Sequence, residues 1–336
     1  MHCDSLVYYR SQEPLDVSSL KQVNHMTGQD EASVTYPMFI RNRKNGDLIF
    51  IYRSGESGRG KRLVNIYNAD TKSWRRLTDK PLFDGSGKDM NAYPTEPITG
   101  PKGWYHIVWM WRNTPDCRSN HDISYIRSPN FKDWETVDGK KVSLPITPEN
   151  DEVVVDPVPP KQGLINMGHR VSFDKAGRPV ITYHKYDSKG NSQIYLARWE
   201  NEGWNLHQVS NWDIRWDFGG GGSIPCKVKG GPLKTMDNGR LVMKWSNQYV
   251  GQGLWEIDPK TLAVLDTLEL RAKYPNHLKK PKVNFKGMQV HWFESDGDSD
   301  NKREEYFLRW ETLPHNRDTA RSGPLPEPTN LELYHF

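Results

Sequence analysis

One phrase recurs along this 336-residue chain and limits what it can fold into: a turn glycine followed by a short alternating or apolar strand, often ending in aromatics. It reads "KNGDLIFIYRS" at Gly46, "PKGWYHIVWMWR" at Gly103, "KAGRPVITYHKYD" at Gly177, "DNGRLVMKWSN" at Gly239 and "FKGMQVHWFES" at Gly287. Successive glycines lie 57, 74, 62 and 48 residues apart, so the repeat is irregular in length. A second strand follows, then a polar turn closed by tryptophan, as in "NADTKSW" (Trp74), "SPNFKDW" (Trp134) and "ENEGW" (Trp204). Trp255 and Trp310 hold comparable places within strands. Helical periodicity is almost absent, and the strands come in hairpin-like pairs. Repetition of this kind is the signature of β-propeller blades. At about 48 residues per blade, seven blades fill the chain. A two-layer sandwich is the alternative, but nothing in a sandwich requires the phrase to recur. The expectation is therefore an all-β, seven-bladed propeller forming a single domain over 1–336, with the tail 311–336 packing on or closing it. The turn tryptophans read as blade packing.

Composition agrees and excludes several classes. Thirteen Trp, 15 Tyr and 10 Phe favour strands, and 27 Gly with 23 Pro punctuate them. No apolar run is long enough for a spanning helix, so no membrane span is expected. "MHCDSLVYYRSQ" has no basic segment followed by an apolar one, so no signal peptide is visible. The location is expected to be secreted or periplasmic with the leader removed, or else cytoplasmic. Three cysteines, Cys3, Cys117 and Cys226, are too few and scattered for a disulfide framework. The formal charge of +4 suits an acidic substrate, while the dispersed basic residues speak against nucleic acid.

A propeller carries function in loops and strand ends at its channel mouth, so function must be argued from the site. In "GWYHIVWMWRNTPDCRSNHDISYIR", His106 lies inside an apolar strand and reads as a satisfied core residue. His121 instead lies at a loop-to-strand junction between Asn120 and Asp122, where Asp122 could fix its tautomer. A loop histidine stabilising a turn is the competing reading. In "INMGHRVSFDKAGRPVITYHKYDSKGNSQIYLARW", a hairpin turn centred near Lys189 places Arg198 opposite the region of Tyr183 and Lys185. Asp174 and Asp187 look like turn residues and offer no carboxylate pair for glycoside hydrolysis. The glycine-rich "WDFGGGGSIPC" lacks the context of a phosphate loop and suits close backbone approach or flexibility. "ESDGDSDNKREE", residues 294–305, resembles a calcium loop only in composition and reads as a solvated acidic turn.

Several long phrases resemble the BNR-4 repeat proteins, seven-bladed propellers that include ulvan lyases and lyases cleaving rhamnosyl-glucuronate linkages. They are "YPMFIRNRKNGDLIFIYRSGESG", "PLFDGSGKDMNAYP", "GWYHIVWMWRNTPDCRSNHDISYIRS", "GRPVITYHKYDSKGNSQIYLAR", "WDIRWDFGGGGSI" and "YFLRWETLPHNRDTARSGPLPEP". The resemblance implies a histidine and a tyrosine as proton-transfer groups and an arginine that neutralises a uronate. Carried onto this chain, these are His121, Tyr183 and Arg198, with Tyr186 as the rival tyrosine. Asn120, His106, His184, Tyr186, His169 and Arg112 are the candidate substrate-binding residues. A further family histidine has no counterpart in "DGKKVSLPIT".

Eliminating a 4-linked uronate needs a base for the C5 proton, an acid for the leaving C4 oxygen, and a cation on the carboxylate. A guanidinium suits the last role because it binds bidentately and keeps its charge. Arg198, if close, would lower the pKa of Tyr183. The expected function is thus a lyase acting on an acidic, rhamnose- and uronate-containing polysaccharide or oligosaccharide. The alternatives are a non-catalytic glycan-binding propeller and a sialidase-like hydrolase. The chemistry requires no cofactor, a structural Ca or Zn is left open, and a monomer is expected.

Overall fold

The computed structural model describes residues 3–42, 45–270, 274–295 and 306–335. The chain divides into two compact units, Met1–Gly220 with Cys226–Leu268, and Gly221–Pro225 with Glu269–Phe336. Among the described residues both are built from strands and single-turn 3-10 segments.

The first unit opens with a hairpin of β1 (Tyr8–Ser11) and β2 (Leu20–Val23). Four antiparallel sheets follow in chain order. The first runs β3 (Val34–Arg41), β4 (Leu48–Ser54), β5 (Lys61–Asn68), β6 (Ser73–Arg76), with β7 (Phe83–Asp84) also on β5. The second comprises β8 (Asn91–Pro94), β9 (Ile98–Thr99), β10 (Tyr105–Arg112), β11 (Asn120–Ser128), β12 (Trp134–Glu135), β13 (Lys141–Val142) and β14 (Val154–Asp156). The third is β15 (Arg170–Phe173), β16 (Pro179–Tyr186), β17 (Ser192–Glu200) and β18 (Gly203–Gln208). The fourth is β19 (Val228–Thr235), β20 (Leu241–Asn247), β21 (Gly251–Ile257) and β22 (Val264–Leu268). In the second unit β23 (Gln289–Ser295), β24 (Tyr306–Thr312) and β25 (Glu332–His335) form a three-stranded sheet, so the tail supplies its third strand.

These blade-like sheets correspond one to one with the repeated phrase, because β4, β10, β16, β20 and β23 each follow one of the five turn glycines. The seven blades expected from length are not confirmed among the described residues: three sheets with four-strand paths, one with a five-strand path and one of three strands follow the opening hairpin there. The reason is chain spent outside sheets. Residues 143–169 contain only β14 and a 3-10 turn, and long loops fill much of the room allotted to extra blades.

Packing between sheets explains the aromatic strand at the centre of the unit. On β10, Ile107, Trp109 and Trp111 pack with Ile49, Ile51 and Val64 of the first sheet. The intervening Val108 and Met110 pack with Val171, Ile181 and Ala197 of the third. A strand buried on both faces reads as an unbroken apolar run, which is what "WYHIVWMW" is. The turn tryptophans Trp74, Trp134 and Trp204 lie at the starts of β6, β12 and β18 and pack as blade residues, Trp74 on Phe50 of its own sheet, Trp134 on Phe131 and Trp204 on Tyr125 of the second sheet.

Candidate functional site

Hairpin geometry gathers chemistry at one end of the sheets, where β4 and β10 finish and β5, β8 and β11 begin. Arg53 and Arg62 are directly opposed in the β4–β5 register, which puts both side chains on one face. Arg53 is 3% exposed and Arg62 6%. All three guanidinium nitrogens of Arg53 are buried without a hydrogen-bond partner of good geometry among the described residues. Burial and the charge of Arg53 push Arg62 down to about 10. The guanidinium carbon of Arg53 lies 5.2 Å from the centre of the Tyr36 ring.

The second sheet completes the site. Asn91 ties the β4–β5 turn to β8, accepting from the Gly60 amide at 2.5 Å and donating to the Glu56 carbonyl at 3.1 Å. Gly60 is required here, since a Cβ would lie 2.6 Å from both Arg53 Cδ and Asn91 Oδ1. Two residues on, the buried Tyr93 hydroxyl lies 3.4 Å from Ser57 Oγ. Arg112 stacks on the Tyr93 ring with its guanidinium carbon 4.0 Å from the centroid. Burial pushes the Tyr93 phenol up, but the charge of Arg112, the Ser57 contact and Arg53 outweigh it, and its pKa falls below the ordinary value. Arg112 Nε donates to Asn120 Oδ1 at 2.7 Å and Nη2 to Asn166 Oδ1 at 2.6 Å.

His121 owes its setting to a bulge. The β10–β11 register shifts between Met110 and Trp111, and Asp122 takes a left-handed conformation with φ of 51°. Neighbouring residues in a regular strand point to opposite faces. The bulge instead lets His121 Nδ1–H donate to Asp122 Oδ2 at 2.7 Å. His121 Nε2 is buried without a hydrogen-bond partner among the described residues.

Of the residues selected from sequence, Arg112 and Asn120 meet at this end with His121 next along the strand, opposite Trp111, and His169 lies against the backbone of Tyr93 and Val108. The others lie elsewhere. Arg198 pairs with Val180, not with the Tyr183 region, so three strand positions, about 10 Å, separate it from Tyr183 along the sheet. Its guanidinium is buried and occupied by Glu200 and the carbonyls of Pro259 and Lys260. It ties the third sheet to the loop after β21. Tyr183 is 1% exposed within the apolar cluster between the second and third sheets. Its hydroxyl donates to Asp156 Oδ2 at 2.5 Å, and burial plus that carboxylate raise its pKa well above the usual value, opposite to the lowering expected from Arg198.

His106 is buried at the far end of β10, where Nδ1 meets the Tyr125 hydroxyl at 2.6 Å, and burial pushes it to about 3. His184 Nδ1–H donates to the Gly163 carbonyl at 2.6 Å among Tyr186, Trp216 and Phe218. Tyr186 donates to the Trp216 carbonyl at 2.8 Å and is raised by burial to about 12. Both hydrogen-bond loop carbonyls from within this aromatic cluster. Asp174 and Asp187 accept from backbone amides in their turns, as turn residues do. In the glycine-rich stretch, a Cβ on Gly219 would lie 2.0 Å from Arg118 Nε, so close approach explains that glycine. Residues 296–305 of the acidic segment lie outside the described residues. Among the described residues no three His, Cys, Asp or Glu side chains cluster as metal ligands, and no helix is long and apolar enough to cross a membrane.

Sequence reasoning missed Arg53, Arg62, Tyr36, Tyr93 and Asn166. The clue for the first pair was the hairpin "YRSGESGRGKR", whose register sets two arginines face to face, an arrangement that is unfavourable unless an anion answers it.

The fold and this site define an all-β protein of the propeller type with a cationic, tyrosine- and histidine-bearing strand-end cluster. The chain belongs to the BNR repeat-containing family, whose pattern matches residues 1–212. Among solved structures it is similar to the polysaccharide lyase Uly1, at 16% identity and a TM-score of 0.53, over 96% of this chain. The chain spans 64% of the length of that protein. It is also similar to a PL25 ulvan lyase, solved alone and bound to -[GlcA(1-4)Rha3S]-, at 15% identity and a TM-score of 0.52, over 97% of this chain and 68% of the other. At these identities the likeness concerns the fold. No curated protein matches the sequence significantly.

Proposed function

We propose that this protein is a polysaccharide lyase that cleaves a 4-linked uronate in an acidic polysaccharide by β-elimination. The observation that carries the reading is Arg53, a buried guanidinium whose donors have no hydrogen-bond partner of good geometry among the described residues, beside a tyrosine of lowered pKa. A uronate carboxylate is a fitting ligand for such a group, and its neutralisation makes the C5 proton removable. Tyr93 and His121 then divide the proton work. One takes the C5 proton, the C5–H electron pair forms the C4–C5 double bond, and the C4–O bond breaks as the other protonates the leaving oxygen. Arg112 holds the Tyr93 ring and, through Asn120, the strand start that carries His121. A rhamnose–uronate backbone is the first substrate to try, since a solved structure with this fold holds -[GlcA(1-4)Rha3S]-. A secreted or periplasmic monomer suits a polymer of that size.

The test is ultraviolet absorbance during incubation with ulvan, gum arabic, glycosaminoglycans and pectic polymers, because elimination leaves a conjugated unsaturated uronate. A rise that Arg53→Met and Tyr93→Phe both abolish supports the lyase. New reducing ends without absorbance would establish hydrolysis instead. Glycan binding without either product would establish a lectin.

A further inference from the structure

The two arginines carry more charge than one uronate can answer. Arg53 and Arg62 are directly opposed on neighbouring strands, both are buried, and the Arg53 guanidinium has no hydrogen-bond partner of good geometry among the described residues. The carboxylate felt by Arg62 is Glu96, which is exposed and contributes least among the influences on it. A pair of desolvated like charges is a costly arrangement in the absence of a counter-charge. One carboxylate brings one negative charge against two guanidinium groups. A doubly charged tetrahedral oxyanion balances both, and its oxygens match the planar donor forks of two arginines. The surroundings fit such a guest. Gly60 lets the Arg53 stem pass tight against the turn backbone, and the Tyr93 hydroxyl, which feels Arg53, lies 3.4 Å from Ser57 Oγ. Tyr36, 41% exposed and in a left-handed conformation with φ of 53°, stacks on Arg53.

We propose that the Arg53–Arg62 pair is a receptor for a free tetrahedral dianion, of the phosphate or sulfate kind, which fills the site until a uronate displaces it. The displacement step rests on Arg53 as the uronate ligand proposed above; the binding step does not.

The binding step is tested by thermal unfolding of the whole chain in a buffer without oxyanions, titrated with phosphate, sulfate or chloride at equal ionic strength. A saturable rise in Tm with phosphate or sulfate, absent with chloride, is expected. Arg62→Met removes that rise and itself raises Tm in the oxyanion-free buffer, because it deletes a buried unanswered charge. An equal response to chloride, or an undiminished phosphate response in Arg62→Met, overturns the proposal. Should Arg62→Met fail to fold, Arg62→Lys keeps the charge but loses the fork. Its phosphate affinity, read by calorimetry, is expected to fall about tenfold or more, and an unchanged value overturns the receptor. For displacement, phosphate should raise KM for the polysaccharide and leave kcat unchanged. Binding of phosphate without an effect on KM overturns displacement. Phosphate binding by a protein that turns over no uronate polymer sinks the lyase and leaves the receptor standing.

Discussion

The guanidinium carbon of Arg112 lies 4.0 Å from the centre of the Tyr93 ring, while its Nε donates to Asn120, the residue before His121. One arginine thus braces both groups to which we assign proton transfer. It also sets the state of one of them, since its charge is the strongest influence lowering the Tyr93 phenol against burial.

That relationship gives a pH profile. If Tyr93 acts as the base, turnover rises with pH as the phenolate forms, along a limb below the ordinary tyrosine value of about 10. Arg112→Met removes the largest lowering influence, so the limb moves to higher pH. A limb unmoved in Arg112→Met rules Tyr93 out as the group that titrates. The measurement is kcat/KM against pH for both proteins.

The two tyrosines separate the observed geometry from the one expected from sequence. Tyr93→Phe is expected to lower kcat by about 100-fold or more, the usual share of a proton-transfer group. Tyr183→Phe leaves the Lys185–Asp156 ion pair, 2.6 Å in length, in place and should keep most of the turnover. The reverse pattern returns the catalytic role to Tyr183.

The fold was legible where local chemistry repeats. Gly46, Gly103, Gly177, Gly239 and Gly287 each precede a strand found in the structure, because a turn glycine and period-two alternation act over a few residues. The blade count was not legible, since loops such as 143–169 obey no period. The site was legible in half. His121 and its neighbours stood out because "SNHD" begins a strand. The Arg53–Arg62–Tyr93 cluster depends on Asn91 clamping a turn of the preceding sheet, a contact no local pattern announces. Arg198 failed for a simpler reason: a turn centred at Lys189 sends it to Val180, and a three-residue error in register moves a side chain off the site and onto the other face.

Three buried histidines make stability sensitive to acid. Burial depresses His106 and His169 to about 3 and His184 to about 4, against about 6.5 in an unfolded chain. Their folded values lie below the unfolded one, so the fold holds them neutral while the unfolded chain takes up protons. The stability they contribute is complete above about pH 6.5 and is lost as pH falls toward 4 and then 3. Between those limits the slope reaches at most about 4 kcal/mol per pH unit for three groups. Urea midpoints at pH 7, 6 and 5 check it, and a flat profile over that range contradicts the burial of the three rings.

Arg198 is predicted to matter for folding and not for turnover. Its guanidinium joins Glu200 to the carbonyls of Pro259 and Lys260, binding the third sheet to the loop after β21. Arg198→Met leaves the two carbonyls without this donor and takes from Glu200 its nearest cation, leaving it Arg178 at 3.6 Å and His207 at 3.4 Å, and breaking a largely buried pair from one side costs up to about 3–5 kcal/mol. The folded fraction should keep its kcat and KM. A variant of undiminished stability but no turnover would instead put Arg198 in the site.

Gly60→Ala tests whether the position of Arg53 is set by the neighbouring sheet. The added methyl would lie 2.6 Å from Arg53 Cδ and from Asn91 Oδ1, so one or both must move. Moving Asn91 weakens its hold on the Gly60 amide and the Glu56 carbonyl, and moving Arg53 takes the guanidinium away from Tyr93. Overpacking of this kind costs about 1–3 kcal/mol in stability. A displacement of about 1 Å in a positioned group is enough to cost on the order of 100-fold in turnover. The two losses are separable, because the first appears in the urea midpoint and the second in kcat of the folded protein. Loss of stability with kcat intact would mean that Arg53 need not sit where Gly60 allows it, and the carboxylate would then need another cation, for which Arg62 stands directly opposite.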